Sequence, residues 1–269
     1  MQRICDLFTP RQVTALVTLV KLVREVRSDV LKDATNAGHH PRDAEAYANA
    51  IMTFLALAVD RCADFNNSLC GWSSSNQKVM HLFGRGAIPI IWDFSEANIL
   101  GDSVGAWATC NNYVAECVEV LGTRAEPASS ANQVDAATGV QGKLGLLIST
   151  DPPYYDNIPY AAISDFFYVW LRRCIGNAES ELFATVLVPK QAELTADASR
   201  FEADHDAAKE HFEEGFRNVF VSLREVMDRR FPLTVYYAFK QEDEEAGSVD
   251  EAAAEGNGVD LTTGWETLL

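Results

Sequence analysis

Leu144-Gly145-Leu146-Leu147-Ile148-Ser149-Thr150 is a compact apolar run, and Asp151-Pro152-Pro153-Tyr154 follows it without a gap. A short Leu- and Ile-rich run of this kind reads as a buried parallel strand. Leu233–Phe239 (LTVYYAF) reads as a second strong strand, and His205–Met227 carries the spacing of a long amphipathic helix. Ser164 is expected to cap another helix reaching about Arg173, while Phe183–Val188 stays open between a strand and a loop edge. Strand, helix and strand in this order predict an α/β architecture with parallel pairing. The Asp-Pro-Pro-Tyr run then falls at the carboxyl end of a strand, where open α/β sheets place their sites.

Upstream, the pattern turns helical. Thr9-Pro10-Arg11-Gln12 combines a cap, a proline suited to the first helical turn and a capping-box glutamine. Val13, Leu16, Val17, Val20 and Val23 recur at helical spacing and carry that helix to about Leu31. Pro41 opens a second helix to about Phe65, whose stretch Ile51–Val59 is apolar nearly all round and is expected to be deeply buried. Asn66–Gln77 reads as a loop, Val79–Phe83 and Ile88–Phe94 as short apolar runs, and Trp107–Leu121 as a further helix. The expected organisation is a mostly helical region over 1–122 and a catalytic part over 123–240, beginning with a small polar linker. Residues 241–262 read as an acidic flexible loop, and 263–269 as the cut-short start of another helix. No internal repeat is visible.

The chain has 269 residues with 39 acids and 22 bases, a net charge of −17, and its bases are 15 Arg and 7 Lys. Nine of the acids lie in residues 241–269, which hold no Lys or Arg, and residues 1–240 still carry −8. A generic electrostatic grip on nucleic acid is excluded, because such a grip needs an excess of Lys and Arg. Cys5, Cys62, Cys70, Cys110, Cys117 and Cys174 form no Cys-x-x-Cys, which disfavours a zinc ribbon or a disulfide framework. The five histidines show no metal-binding spacing, so no metal site is expected. With no secretory leader and no span of about 20 apolar residues, the expected setting is the cytoplasm, away from membranes.

One chemistry explains the letters of Asp151-Pro152-Pro153-Tyr154, and it serves an adenine or a cytosine amine alike. An exocyclic amine of adenine is a poor nucleophile because its lone pair is conjugated into the ring. Two acceptors that bind both amino hydrogens localise that lone pair on nitrogen. The Asp151 carboxylate supplies one acceptor and the Pro152 carbonyl the other. Pro152 and Pro153 fix φ and hold the preceding residue extended, so the acceptors are aimed in advance. In a water-poor pocket such acceptors act on the charge that develops as a methyl group transfers. Tyr154 would stack on a base that has left the duplex, a contact of roughly 1–3 kcal/mol.

The tetrapeptide resembles the catalytic motif of S-adenosylmethionine-dependent amino methyltransferases acting on DNA bases. The wider stretch Asp151–Arg173 (DPPYYDNIPYAAISDFFYVWLRR) is more specific, together with Phe8-Thr9-Pro10-Arg11-Gln12 and Tyr236-Tyr237-Ala238-Phe239-Lys240. It is similar to the large adenine-specific DNA methylases that carry an N-terminal domain of unknown function, some with a zinc ribbon. The resemblance covers most of residues 5–240 and reaches Gly264-Trp265-Glu266. It implies a partial Rossmann-like methyltransferase sheet beside the helical N-terminal region, and methyl transfer from S-adenosylmethionine to a flipped adenine in DNA. It also implies an Asp-Pro-Phe-x-Gly-x-Gly-like cofactor loop, whose nearest match here is Phe83-Gly84-Arg85-Gly86. That match lacks the preceding acid, and Pro89 follows too soon for a helix to begin. The chain is therefore expected to be the later part of a longer protein, completed by an upstream segment or a partner chain.

Motif matching assigns the catalytic role to Asp151, Pro152, Pro153 and Tyr154. Asp135 is the candidate for the cofactor, since such folds often place an acid near its adenine; a loop turn is the competing reading. Tyr155, Asn157 and Tyr160 are candidates for lining the target pocket, against a turn that positions the next helix. For Phe166–Leu171, packing competes with and outweighs a stacking platform for bases. Two other functions stay open: a non-catalytic scaffold whose bare sheet edge seeks a partner, and an amino methyltransferase acting on RNA or a protein glutamine. No Pro-Cys dipeptide occurs, which argues against the covalent route to cytosine carbon.

Overall fold

The structure is a computed structural model, and it describes residues 3–84, 86–122, 129–155 and 158–237. Arg85, Asn157, the stretch 241–262 and the segment 263–269 lie outside the described residues. The architecture corrects the expectation of a Rossmann-like α/β sheet. Five α-helices dominate, α1 (Pro10–Asn36), α2 (Pro41–Phe65), α3 (Trp107–Gly122), α4 (Tyr160–Ile175) and α5 (His205–Val226). Among the described residues, two sheets of two strands each are all the β-structure there is. β1 (Trp72–Ser73) pairs antiparallel with β2 (Lys78–Val79), and β3 (Ser149–Thr150) pairs in parallel with β4 (Thr234–Val235).

The chain divides into two compact units. The first joins the described parts of Met1–Gln133 to Tyr160–Gln191, so it contains α1 to α4 and the β1–β2 hairpin. The second joins Val134–Pro159 to the described residues from Ala192 onward, and contains β3, α5 and β4.

In the first unit, α1 begins with a reciprocal capping box. The Thr9 hydroxyl accepts from the Gln12 N–H at 3.3 Å, and Gln12 Oε1 accepts from the Thr9 N–H at 2.8 Å. Leu16, Val20 and Val23 form the buried stripe of α1, while Val17 points outward. On α2 the buried positions Ala44, Ala48, Met52 and Ala56 repeat every fourth residue, a small-residue seam that admits a close neighbour. Ile51–Val59 is not buried all round, because Phe54 and Leu57 are exposed. The core closes on α4, where Phe166, Tyr168 and Trp170 are buried. Phe8 stacks on Phe166 at 5.7 Å and meets Trp170 edge-on at 5.4 Å. Packing is thus the role of these aromatics. α4 starts at Tyr160, directly after Pro159, four residues before the expected cap Ser164.

In the second unit, the run 144–150 is not the buried strand its composition indicates. Leu144 is 84% and Leu147 74% exposed, while Leu146, Ile148 and Thr150 are half-buried. Among the described residues the run lies against one parallel neighbour: Leu146 bridges Met227, Thr234 N–H donates to Ile148 O, and Tyr236 N–H donates to Thr150 O. Leu233, Val235 and Tyr237 alternate with exposed Thr234 and Tyr236 in the same way. One covered face and one open face give a two-stranded ribbon, not the doubly covered sheet of an α/β fold. Phe183–Val188 forms no strand, and Ile90 and Trp92 in the earlier apolar run are fully exposed. No helix among the described residues is long and apolar enough to cross a membrane.

Candidate functional site

The Asp151–Tyr154 turn leaves the carboxyl end of β3 beside the carboxyl end of β4, both within the second unit. Pairing explains the position: Thr150 O takes the Tyr236 N–H at 2.8 Å, so the chain is released from the ladder at Asp151. Pro152 and Pro153 cannot donate to a ladder, and they end the strand there. Asp151 is exposed, while Pro152, Pro153 and Tyr154 are half-buried. Tyr154 Oη donates to Asp151 Oδ1 at 3.1 Å, which ties the carboxylate to the turn. Asp151 Oδ2 takes no hydrogen bond among the described residues. The expected water-poor pocket is not what surrounds this carboxylate, since Asp151 faces solvent.

Tyr155 is the pivot of the turn. Its φ is +23°, in a region non-glycine residues rarely occupy. Three contacts hold it: its N–H donates to Tyr237 Oη at 3.1 Å, its carbonyl accepts from Ala196 N–H at 2.9 Å, and its ring meets Phe212 edge-on at 5.1 Å. Phe212 is 1% exposed and belongs to the small core of Ala196, Ala208 and Phe216. Sequence reading made Tyr155 a pocket-lining residue; the structure engages its ring with that core. Tyr237 was missed as a site residue. Its ring stands edge-on to Tyr154 at 5.3 Å and 76°, and its hydroxyl receives the Tyr155 amide. The alternation of Leu233, Val235 and Tyr237 on the covered face was the signal that placed it there.

The remaining candidates are scattered. Asp135 Oδ1 accepts from the Ala137 N–H at 2.8 Å, and its carbonyl accepts from Thr138 and Gly139, so it forms a tight turn of its own. Ser222 of α5 ties that turn down by donating to Ala137 O at 2.6 Å. Tyr160 is the first residue of α4, 45% exposed, and belongs to the first unit. Asn157 lies outside the described residues. Phe83 of the glycine-loop candidate is packed against Phe166 and Phe167, and its N–H donates to Asp64. Neither Asp135 nor Phe83-Gly84 is built as a cradle for a nucleotide-like methyl donor. The described candidates therefore do not fit S-adenosylmethionine.

Comparison of the chain with known protein families, curated proteins and solved structures finds no match.

Proposed function

We propose that the Asp151–Tyr154 turn captures the exocyclic amine of an adenine, as the acceptor-holding part of an S-adenosylmethionine-dependent DNA adenine methyltransferase. The observation that carries the reading is the preorganised turn: a carboxylate oriented by Tyr154, behind it a strained Tyr155 pinned by Tyr237 and Ala196. Strain maintained by surrounding contacts is a mark of functional positions. The Asp151 carboxylate and the Pro152 carbonyl accept the two amino hydrogens, and the Tyr154 ring supports the base. Six free thiols, four of them buried, suit the reducing cytoplasm this reading places the chain in.

The test is fluorescence of 2,6-diaminopurine, which keeps the 6-amine, placed at single positions of an unmethylated oligonucleotide and titrated with the full chain. Capture of the base changes the emission, and Asp151→Ala and Tyr154→Ala abolish the change. Equal responses from the wild type and both variants would end the proposal. Transfer of tritium from labelled S-adenosylmethionine to DNA, RNA or glutamine-bearing peptide then identifies the acceptor. A second reading rests on the open face of the β3–β4 ribbon, with Leu147 74% and Tyr236 63% exposed. On that reading the chain is a scaffold whose open ribbon face is covered by another chain.

A further inference from the structure

The first unit holds a cavity of about 260 Å3 between the end of α2, the β1–β2 hairpin and the start of α3. In a chain of net charge −17 its lining is basic, with Arg61, Lys78 and His81 all facing it. The Arg61 guanidinium lies 4.4 Å from the Tyr113 ring centroid and 5.6 Å from that of Phe65, so both rings hold it in place. Its Nε is buried and has no hydrogen-bond partner among the described residues. Neither Arg61 nor Lys78 belongs to any ion pair among the described residues.

Asp64 is the acid that bears on this cluster. Its carboxylate is taken up by the Phe83 N–H at 3.2 Å and by His81 Nδ1 at 3.6 Å. Phe65 and Met80 add apolar wall. The rim is built rather than loose: Asn66, 2% exposed, donates from Nδ2 to both Cys62 O and Gly105 O at 2.8 Å. Gly105 sits at φ +86°, and a Cβ there would come within 2.9 Å of the Phe65 Cβ.

A buried Nε–H with no hydrogen-bond partner carries a desolvation cost that the two rings do not remove, and an oxyanion relieves it through a charge-assisted hydrogen bond. A carboxylate offers two oxygens and one charge. A phosphate monoester offers three oxygens and nearly two charges, which matches the cations Arg61 and Lys78 and leaves an oxygen for the His81 ring. We infer that this cavity binds a small organic phosphate, with its phosphate against Arg61, Lys78 and His81 and its apolar body against Met80 and Phe65.

Phenyl phosphate titrated calorimetrically into the full chain, with benzoate and inorganic phosphate in parallel, tests the assignment. Saturable binding of phenyl phosphate is expected, with benzoate about tenfold weaker or worse. Arg61→Gln and Lys78→Gln are each expected to weaken phenyl phosphate about tenfold. Lys78 is exposed on the hairpin, so its variant reports on binding even where Arg61→Gln disturbs packing. Saturable binding of inorganic phosphate, weaker than phenyl phosphate and lost with the same two variants, also supports the site. Absence of binding, equal affinity in the Lys78 variant, or benzoate as tight as phenyl phosphate would overturn the inference. Asp151→Ala is expected to bind phenyl phosphate unchanged, and its loss there would overturn the placement without bearing on amine capture.

Discussion

Tyr155 and Tyr237 form a support that acts on the proposed acceptors without touching the amine. Tyr237→Phe keeps the ring against Tyr154 and removes only the oxygen that receives the Tyr155 N–H. Stability should fall by about 1 kcal/mol, while base capture by the 2,6-diaminopurine readout falls about tenfold as Tyr155 relaxes toward ordinary φ. A loss of stability with capture intact would leave Tyr237 a packing residue only. A second prediction belongs to Asp60 on α2, which is 7% exposed and whose Oδ1 has no hydrogen-bond partner among the described residues. Burial pushes its carboxyl from 3.8 up to about 9. Below about pH 4 both folded and unfolded chains hold this proton. Between about pH 4 and 9 the unfolded chain releases it and the folded chain retains it, so stability falls as pH rises through that window. Asp60→Asn removes this dependence. Its unfolding free energy from denaturant titration should exceed the wild type's at pH 8 by on the order of 2–4 kcal/mol, with the gap closing toward pH 4.

Helices were legible because their determinants are local. Thr9, Pro10 and Gln12 announce α1, and Thr9→Ala should cost about 1 kcal/mol in thermal denaturation by removing the hydroxyl that caps Gln12. Pro41 likewise opens α2 at its first residue. Strands were not legible to the same degree, because an apolar run becomes a sheet interior only when neighbours cover both its faces. Leu144–Thr150 meets one parallel partner, and Leu144 and Leu147 stay exposed. The run alternates in the structure, with Leu146, Ile148 and Thr150 on the covered side, a period its apolar composition hides. The Asp-Pro-Pro-Tyr turn was readable as a tetrapeptide following a strand. Its support from Tyr237 and Ala196 joins residues distant in sequence, which no local pattern encodes. The loop before α3 shows the same limit. Gly105→Ala should cost roughly 1–3 kcal/mol, because a Cβ at φ +86° meets Ala97 and Phe65 at 2.8 and 2.9 Å.

Net charge is a property of the whole molecule, and it constrains how the chain meets a polyanion. At −17 the chain repels itself and any nucleic acid backbone. The cations of the second unit are in part already engaged: Arg230 grips Asp228, Lys209 lies 3.8 Å from Glu213, and Arg200 donates to Glu193 O. Raising NaCl shortens the screening length from about 30 Å at 0.01 M to about 3 Å at 1 M. The thermal midpoint should therefore rise with salt, by several degrees over that range. Binding of an adenine-bearing strand should respond to salt in its own way. A protein that grips phosphates loses affinity steeply, with a slope near −0.7 per phosphate contacted on a single strand. The proposed capture through Asp151, Pro152 and Tyr154 would displace few counterions, so the slope between 0.05 and 0.4 M NaCl should be shallower than about −1. A steep negative slope would mean that cations on the chain hold the backbone, and base capture at the turn would no longer account for the affinity. A flat or rising affinity, abolished by Asp151→Ala, would place the binding energy in the base and leave the backbone to be held by some other chain.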